Sequence, residues 1–395
     1  MRISVSPPAA EYVSEEDMSR SGAEDVPHRE RLPSRAFVTL LRVTGLCALP
    51  GWPGHLWSGL LYALQTGLTY RLLRLSLLVF TSLRTAGTPL FQALFKSRYV
   101  AAPNLLQWLA LTVGFLWGRR RYDAVLHDIF SALTDIEKLT TVAGKCKRAH
   151  RAGEYMWAAV LLLTTTYAIQ GGLSAAPVCR EKSALLCAYK LGETVLYGYN
   201  FLALELLVMK FAFVGLLVNS GFSDINRELE ALASSGCEDA HLHGLGRLQR
   251  RLSDIFTRLT SDMTSELVLV MSYGILVEIV LALTAINLPS LEAGSLMRLL
   301  LPLSAALVAL AGLCETCQLL LSRLGDCRDL LLQLEWQHPR LAGPCQLLLR
   351  SVSRDLETLG DLGLFSARRS TMLSVTSTIV TYIIVMAQFQ HSESG

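Results

Sequence analysis

Long apolar runs rich in leucine recur along this chain, each near the length of a bilayer crossing, and they restrict the fold more than any other feature. A transmembrane helix needs about 20 mainly apolar residues. In lipid every backbone polar group must be satisfied internally, so only helices and closed barrels span. The runs lack the alternating ten-residue pattern of barrel strands, which favours helices. Composition agrees: 51% of the 395 residues are hydrophobic and 17% are charged, against about 25% charged in an ordinary soluble domain. The expected class is an all-α membrane protein.

Seven transmembrane helices are expected, near 66–90, 100–118, 155–175, 192–217, 265–288, 298–320 and 371–391. The first contains Arg71, Arg74 and Arg84; the first two are expected to snorkel to the inner surface and Arg84 to the outer. The second stops at Arg119-Arg120-Arg121. Connections after spans one, three and five are short, and those after two, four and six are long. Residues 223–263 repeat apolar positions at three and four (Leu229, Leu232; Leu245, Leu248, Leu252, Ile255, Leu259), and 323–363 do likewise (Leu330, Leu334; Leu347, Leu348, Val352, Leu356, Leu359). Polar residues fill the other faces, which predicts long helical extensions of the spans into one aqueous compartment. Residues 1–36 are polar, with Glu15, Glu16, Asp17, Glu24 and Asp25, and read as a disordered cytoplasmic arm rather than a signal peptide. Residues 37–395 form the seven-helix unit.

Charge sets the orientation, because Lys and Arg gather on the cytoplasmic side. The stretch up to residue 60 holds six Arg; 119–152 holds eight Lys and Arg, 218–264 five and 321–370 seven, all on one side of the membrane. The other side has Lys96, Arg98, Arg180, Lys182, Lys190 and Arg298. The expected protein is a multi-pass component of the plasma membrane with a cytoplasmic N-terminus and an external C-terminus, inverted relative to G-protein-coupled receptors. A formal charge of +3, with no basic patch interleaved with aromatics, argues against a nucleic-acid partner.

The nine cysteines show no paired Cys-x-x-Cys grammar. Cys314 and Cys317 lie in an apolar run and read as core packing. Cys179 and Cys187 flank a short polar loop placed outside, where a disulfide is allowed but not required. His241 and His243 have no third ligand in register. Gly244-Leu245-Gly246 lacks both the third glycine and the preceding strand of a phosphate loop, and there is no nucleophile elbow. Neither metal, cofactor nor enzymatic chemistry is expected.

Residues 369–390 carry the most informative pattern. On a helix, Thr371, Ser374, Thr378, Thr381, Val385 and Gln388 fall on one stripe, with Leu373, Val380, Ile383 and Ala387 behind it. Two readings compete. In one, the hydroxyls bond to the helix's own carbonyls one turn back, and small residues let helices pack closely. In the other, several copies of the helix surround a pore and the stripe meets water. Gln388 then forms a ring of neutral dipoles, and Val385 or Phe389 an apolar ring that closes by dewetting.

Thr381-Tyr382-Ile383-Ile384-Val385-Met386-Ala387-Gln388-Phe389 resembles the Thr-Tyr-(five apolar)-Gln-Phe signature of the insect gustatory receptor family, in the expected place near the C-terminus. Gly360-x-x-Gly363-Leu364-Phe365 is similar to that family's lead into the final helix. The stretch 41–50, Leu-Arg-Val-Thr-Gly-Leu-Cys-Ala-Leu-Pro, is similar to its lead into the first span. The resemblance covers most of the chain in architecture and about the last 35 residues in motif. It implies a ligand-gated, non-selective cation channel, assembled with related subunits as a homotetramer or heterotetramer, whose last helix lines the pore with Gln388 and Phe389 near the gate. It also implies a pocket for a small-molecule tastant, open to the outside and built from the outer halves of the second to sixth helices. Sugar-type members carry an acidic residue directly after the Thr-Tyr pair; this chain has Ile383, which favours bitter or other small organic ligands. Insect odorant receptors share the architecture and remain an alternative, as does a non-conducting chemoreceptor that signals through a cytoplasmic partner.

No short motif marks the pocket, so its candidates are polar and aromatic residues of the outer halves. These are Tyr167 and Gln170 on span three, Glu193, Tyr197, Tyr199 and Asn200 on span four, and Thr284 and Asn287 on span five. Such groups serve small-molecule sites, and Tyr at a membrane boundary also serves as an interfacial anchor. Glu205, Lys210, Glu278 and Glu315 fall within spans, where ionisable side chains are paired or face water. Lys210 has two candidate partners, Glu205 five residues away and Glu278 on the next span.

Overall fold

The computed structural model describes residues 32–47, 49, 51–87, 90–140, 147–181, 184–235, 239–286, 293–362 and 366–393; some side chains within these helices lie outside that description and are named where they matter. The chain starts with α1 (Leu32–Val43) and α2 (Trp52–Thr85). Helix α3 (Leu90–Val113) passes through one π-helical turn, Gly114–Gly118, straight into α4 (Arg119–Leu139). The long helices α5 (Lys147–Glu181), α6 (Ala184–Ser235), α7 (Asp239–Ile286) and α8 (Ala293–Gln337) follow. A 3-10 turn, Pro339–Leu341, leads to α9 (Ala342–Thr358), and α10 (Arg369–Glu393) is the last element. Among the described residues there is no strand, only an isolated bridge between Asp361 and Ser366.

Helix length separates two regions. α6, α7 and α8 have 52, 48 and 45 residues. At about 1.5 Å per residue they run roughly 68–78 Å, more than twice the ~30 Å hydrocarbon core of a bilayer. The amphipathic stretch expected over 223–263 and the start of that over 323–363 are therefore continuations of the spans, while the rest of the second forms the separate helix α9. Their periodic residues Leu229, Leu245, Leu252, Leu259, Leu334, Leu348 and Val352 are buried.

At this extension end, polar bonds join the helices. Arg251 reaches Asp135 at 2.6 Å, and Arg258 reaches Asp128 at 3.0 Å, tying α7 to α4. Asp355 on α9 accepts from Ser253 Oγ at 2.6 Å and from Gln249 Nε2 at 3.3 Å. Asn226 on α6 donates to the Arg323 carbonyl on α8 at 2.9 Å.

The opposite end, where α5 meets α6, has another surface. Leu64, Leu75, Leu77 and Leu78 on α2 and Leu161, Leu162 and Ile169 on α5 are exposed. Apolar surface of this kind is stable against lipid and not against water. Ser and Thr hydroxyls here turn back onto the carbonyl four residues earlier, as at Ser58, Thr69, Ser76 and Thr112, which satisfies these donors within their own helix. By length and hydropathy alone, two helices among the described residues suffice to cross a membrane, Ala184–Ser234 at mean hydropathy 2.3 and Ala240–Val280 at 1.7.

Three expectations change. The first span lies earlier than 66–90, because α2 begins at Trp52 and ends at Thr85, where Gly87 takes φ +80°. Arg71 does not snorkel to the inner surface: it points toward the α5–α6 turn and pairs with Glu193 at 3.2 Å. Of the arm over 1–36, residues 1–31 lie outside the described residues, while 32–36 open α1.

Candidate functional site

The seam between α6 and α7 holds the most deeply buried charge. Lys210 Nζ stands 3.0 Å from Glu266 Oε2, with side chains 0% and 1% exposed. Neither Glu205 nor Glu278 is the partner. Five residues along a helix turn a side chain by about 140°, so Glu205 and Lys210 face different neighbours. The pair is fitted from a third side. The Tyr122 ring lies 5.0 Å from the Lys210 ammonium, and its hydroxyl donates to the Lys210 carbonyl at 2.7 Å. The π turn supplies the space: a Cβ on Gly118 would stand 1.7 Å from Glu266 Oε1, and one on Gly114 3.4 Å from Oε2. At 118 only glycine leaves room for the carboxylate.

The residues expected to contact a ligand fare differently from one another. Tyr167 is half-buried and stacks on Phe201 at 5.7 Å between ring centroids. Gln170, one turn further along α5, is also half-buried. Glu193 is engaged by Lys190 at 2.8 Å and by Arg71, beside Tyr189, which hydrogen-bonds Arg71. It acts as a tie between α6 and α2. Tyr199 donates to the Thr44 carbonyl at 3.2 Å, facing α1. The side chains of Tyr197, Asn200 and Thr284, and the whole of Asn287, lie outside the described residues. Cys179 and Cys187 are joined in a disulfide that closes the α5–α6 turn.

Helix α10 packs on α8 and α7. Ile379 faces them and is 8% exposed. Two other faces are open. One carries Leu373, Val380 and Ile384, at 68%, 48% and 52% exposure. The other carries the expected stripe, with Ser374, Thr378, Thr381, Val385 and Gln388 all exposed. Thr378 Oγ1 donates to the Ser374 carbonyl at 2.8 Å and Thr381 Oγ1 to the Ser377 carbonyl at 2.9 Å. The hydroxyls thus bond back to their own helix, and among the described residues no other helix covers them. The side chains of Tyr382 and Phe389 lie outside the described residues.

The approach to α10 is pinned. Gly360 takes φ +82° and its carbonyl accepts from Ala367 N at 2.8 Å. Arg369 binds the Glu315 carboxylate through two nitrogens, Nε at 2.8 Å and Nη2. Glu315 was expected within a span as a buried charge; its side chain is 43% exposed and serves α10.

Sequence reasoning missed Glu266, Tyr122 and the paired glycines. Gly114-x-x-x-Gly118 directly before an arginine block was the available signal, since small residues at that spacing permit close approach. A polar cleft of about 500 Å³ between the extensions of α6 and α8 is lined by Asn226, Arg227, Glu230, Arg323 and Asp326. Small organic ligands favour mainly apolar walls, so this cleft does not suit one.

Among known proteins, the family model described as 7tm Chemosensory receptor matches residues 55–393. The solved insect olfactory receptor OR5 from Machilis hrabei aligns with a TM-score of 0.66 at 12% sequence identity, over 90% of this chain and 97% of that one. That likeness is one of fold, a seven-transmembrane all-helical architecture. No curated protein matches the chain in sequence.

Proposed function

The chain belongs to the seven-transmembrane chemosensory receptor family, and from that premise we propose that it is a gustatory-type subunit of a ligand-gated, non-selective cation channel opened by small organic tastants. The observation that carries this reading is α10. Its polar stripe is exposed along Ser374, Thr378, Thr381, Val385 and Gln388, turned away from the rest of its own subunit. A hydroxyl-rich helix face left open in a membrane receptor has two uses, contact with another subunit or contact with water. Four related subunits around one axis would satisfy both.

In this reading the α5–α6 turn faces outward at the plasma membrane, and the extensions of α6 to α9 lie in the cytoplasm. Thr378, Thr381, Val385 and Gln388 line the pore, with Phe389 at its outer end. A tastant binds among α5, α6 and α7, in the half of the bundle beyond Lys210. It opens the pore by binding the open arrangement of α10 more tightly than the closed one. Ile383 after Tyr382 supports an organic ligand other than a sugar.

Whole-cell current in cells expressing the chain, alone and with related subunits, tests the proposal against a panel of bitter, sugar and other small molecules. A rapid evoked cation current that persists under G-protein blockade is the expected result. Ligand responses that vanish under that blockade would instead establish the non-conducting receptor. For the pore, Q388C is expected to be blocked by a membrane-impermeant thiol reagent applied outside, while V380C, facing lipid, carries unchanged current. Equal insensitivity of both removes Gln388 from the conduction path. An odorant-type ligand spectrum is the alternative, and the same panel extended with volatile compounds separates it from a taste spectrum.

A further inference from the structure

The start of α2 and the π turn after α3 meet in a cluster of positive charge that the channel reading does not use. Helix α2 begins at Trp52 with Pro53 in its first turn, no side-chain cap and no acidic residue there. The positive end of its dipole is therefore left bare. The π turn brings a guanidinium to the same place. Arg119 Nη2 stands 3.3 Å from Nδ1 of His55, and its guanidinium lies 4.6 Å from the centre of the Phe115 ring, which stacks on Tyr62. A guanidinium only donates. Nδ1 of His55 must therefore accept, which leaves Nε2–H as a donor on the far side of an exposed ring.

The neighbouring arginines are used unequally. Arg121 is taken by Asp262 at 3.4 Å. Among the described residues neither Arg119 nor Arg120 has a carboxylate at ion-pair distance, and the nearest acid along α4, Asp123, is half-buried. Arg120 is fully exposed beside them.

Apolar surface adjoins this cluster. Leu56 and Leu60 on α2 and Leu116 on the π turn are each more than half exposed. So are Trp52 and Trp117, indoles of the kind that mark a membrane boundary. His55, Gly59 and Tyr62 share one face of α2, and a Cβ on Gly59 would meet nothing within 4 Å, so that face is bare between the two rings. Unpaired guanidiniums suit a phosphate, and exposed leucines beside them suit hydrocarbon. A free anion would leave the second feature unused. We propose that the junction of α2 with the π turn is a seat for an anionic phospholipid. Its headgroup is held by Arg119, Arg120 and Nε2–H of His55, and its acyl chains lie along Leu56, Leu60 and Leu116. The seat belongs to the cytoplasmic leaflet in the orientation read above; a reversed orientation moves it to the other leaflet without removing it.

The test uses the full-length purified receptor in neutral detergent. It is titrated with short-chain phosphatidylserine, phosphatidylglycerol or phosphatidylcholine, and with glycerol phosphate as a headgroup without chains. Melting temperature and the lipid retained in native mass spectrometry are the readouts, and neither depends on conduction. The anionic lipids are expected to bind at least about tenfold more tightly than phosphatidylcholine. R119Q with R120Q should abolish that preference, whereas R250Q, which removes an exposed arginine from the α7 extension, should leave it intact. If the double variant does not fold, R120Q alone carries the test, with an expected severalfold loss. Phosphatidylcholine that binds as tightly, a preference that survives the arginine variants or falls equally in R250Q, or glycerol phosphate that acts as well as the lipids would each overturn the proposal. Whole-cell recording separates it from the channel reading: anionic lipid retained by a receptor that never conducts sustains the seat and removes the channel, whereas tastant currents from a receptor with no anionic preference do the reverse.

Discussion

Two of the ion pairs that join helices in this molecule have opposite surroundings. Lys210–Glu266 links α6 to α7 with almost no exposure. Arg369–Glu315 links α10 to α8 with side chains 61% and 43% exposed. The first is enclosed by the Gly114–Gly118 π turn and the Tyr122 ring. The second lies at the approach to α10, whose polar stripe is open. A charge pair sealed from water is costly to part, so it fixes one arrangement of its helices. A pair in water exchanges partners cheaply, so it lets its helix move. The largest expected effect therefore comes from opening the sealed pair. E266Q strands the Lys210 charge, which costs about 3–5 kcal/mol, and the protein should lose most of its surface expression and melt at a lower temperature in detergent. K210M combined with E266M should recover most of the loss, because buried pairs are often replaceable by apolar groups. G118A should behave like E266Q, since its methyl group stands where the carboxylate is. A double variant as damaged as the sum of the singles would mean that the two charges are not coupled.

The same contrast explains what the sequence made legible. Spans and extensions were readable because burial follows period: Leu245, Leu252 and Leu259 follow one another at two helical turns and are all buried. The stripe on α10 was readable for the same reason, as Ser374, Thr378 and Thr381 share a face wherever the helix is placed. The partner of Lys210 was not readable. Which acid it meets depends on the sliding register of α6 against α7 and on a π turn in a third helix, and no local pattern encodes either. Arg71 failed similarly: composition suggested a membrane edge, whereas its position is set by Glu193, more than a hundred residues later in the chain. Glu193, expected at the ligand, is engaged by two cations. The shift of the first span has a local cause, for its amino-terminal half carries Trp52, Pro53, His55 and Gln65, which dilute the apolar signal without breaking the helix.

The disulfide extends the comparison to the turn between α5 and α6. Cys179 and Cys187 are eight residues apart, and closing so short a loop stabilises by about 2.5 kcal/mol in the chain-entropy model. External reductant, or C179A with C187A, should lower the melting temperature by less than E266Q does. Hydrogen exchange should quicken at the start of α6 and stay unchanged in the extensions, where Arg251–Asp135 and Asp355 hold the helices. Faster exchange throughout the chain would mean that the turn and the sealed pair unfold as one unit.

The smallest effect on stability is expected at Arg369–Glu315, and it sharpens the comparison most. Exposed pairs contribute about 0–1 kcal/mol, so R369A and E315A should fold and reach the surface normally. The pair nevertheless holds the start of α10 to α8, whose other end lies in the half of the bundle proposed to bind ligand. If the bridge belongs to one arrangement of α10, breaking it shifts the balance between arrangements by its full free energy, however small. A shift below 1.4 kcal/mol changes an equilibrium by less than tenfold, so half-maximal ligand concentration should move severalfold in R369E. The exchanged variant, R369E with E315R, should restore it. Raising ionic strength should mimic R369A, because salt screens an exposed pair and spares a buried one. A dose-response curve unmoved by R369E would place the bridge in every arrangement of α10, and the two pairs would then differ in exposure alone.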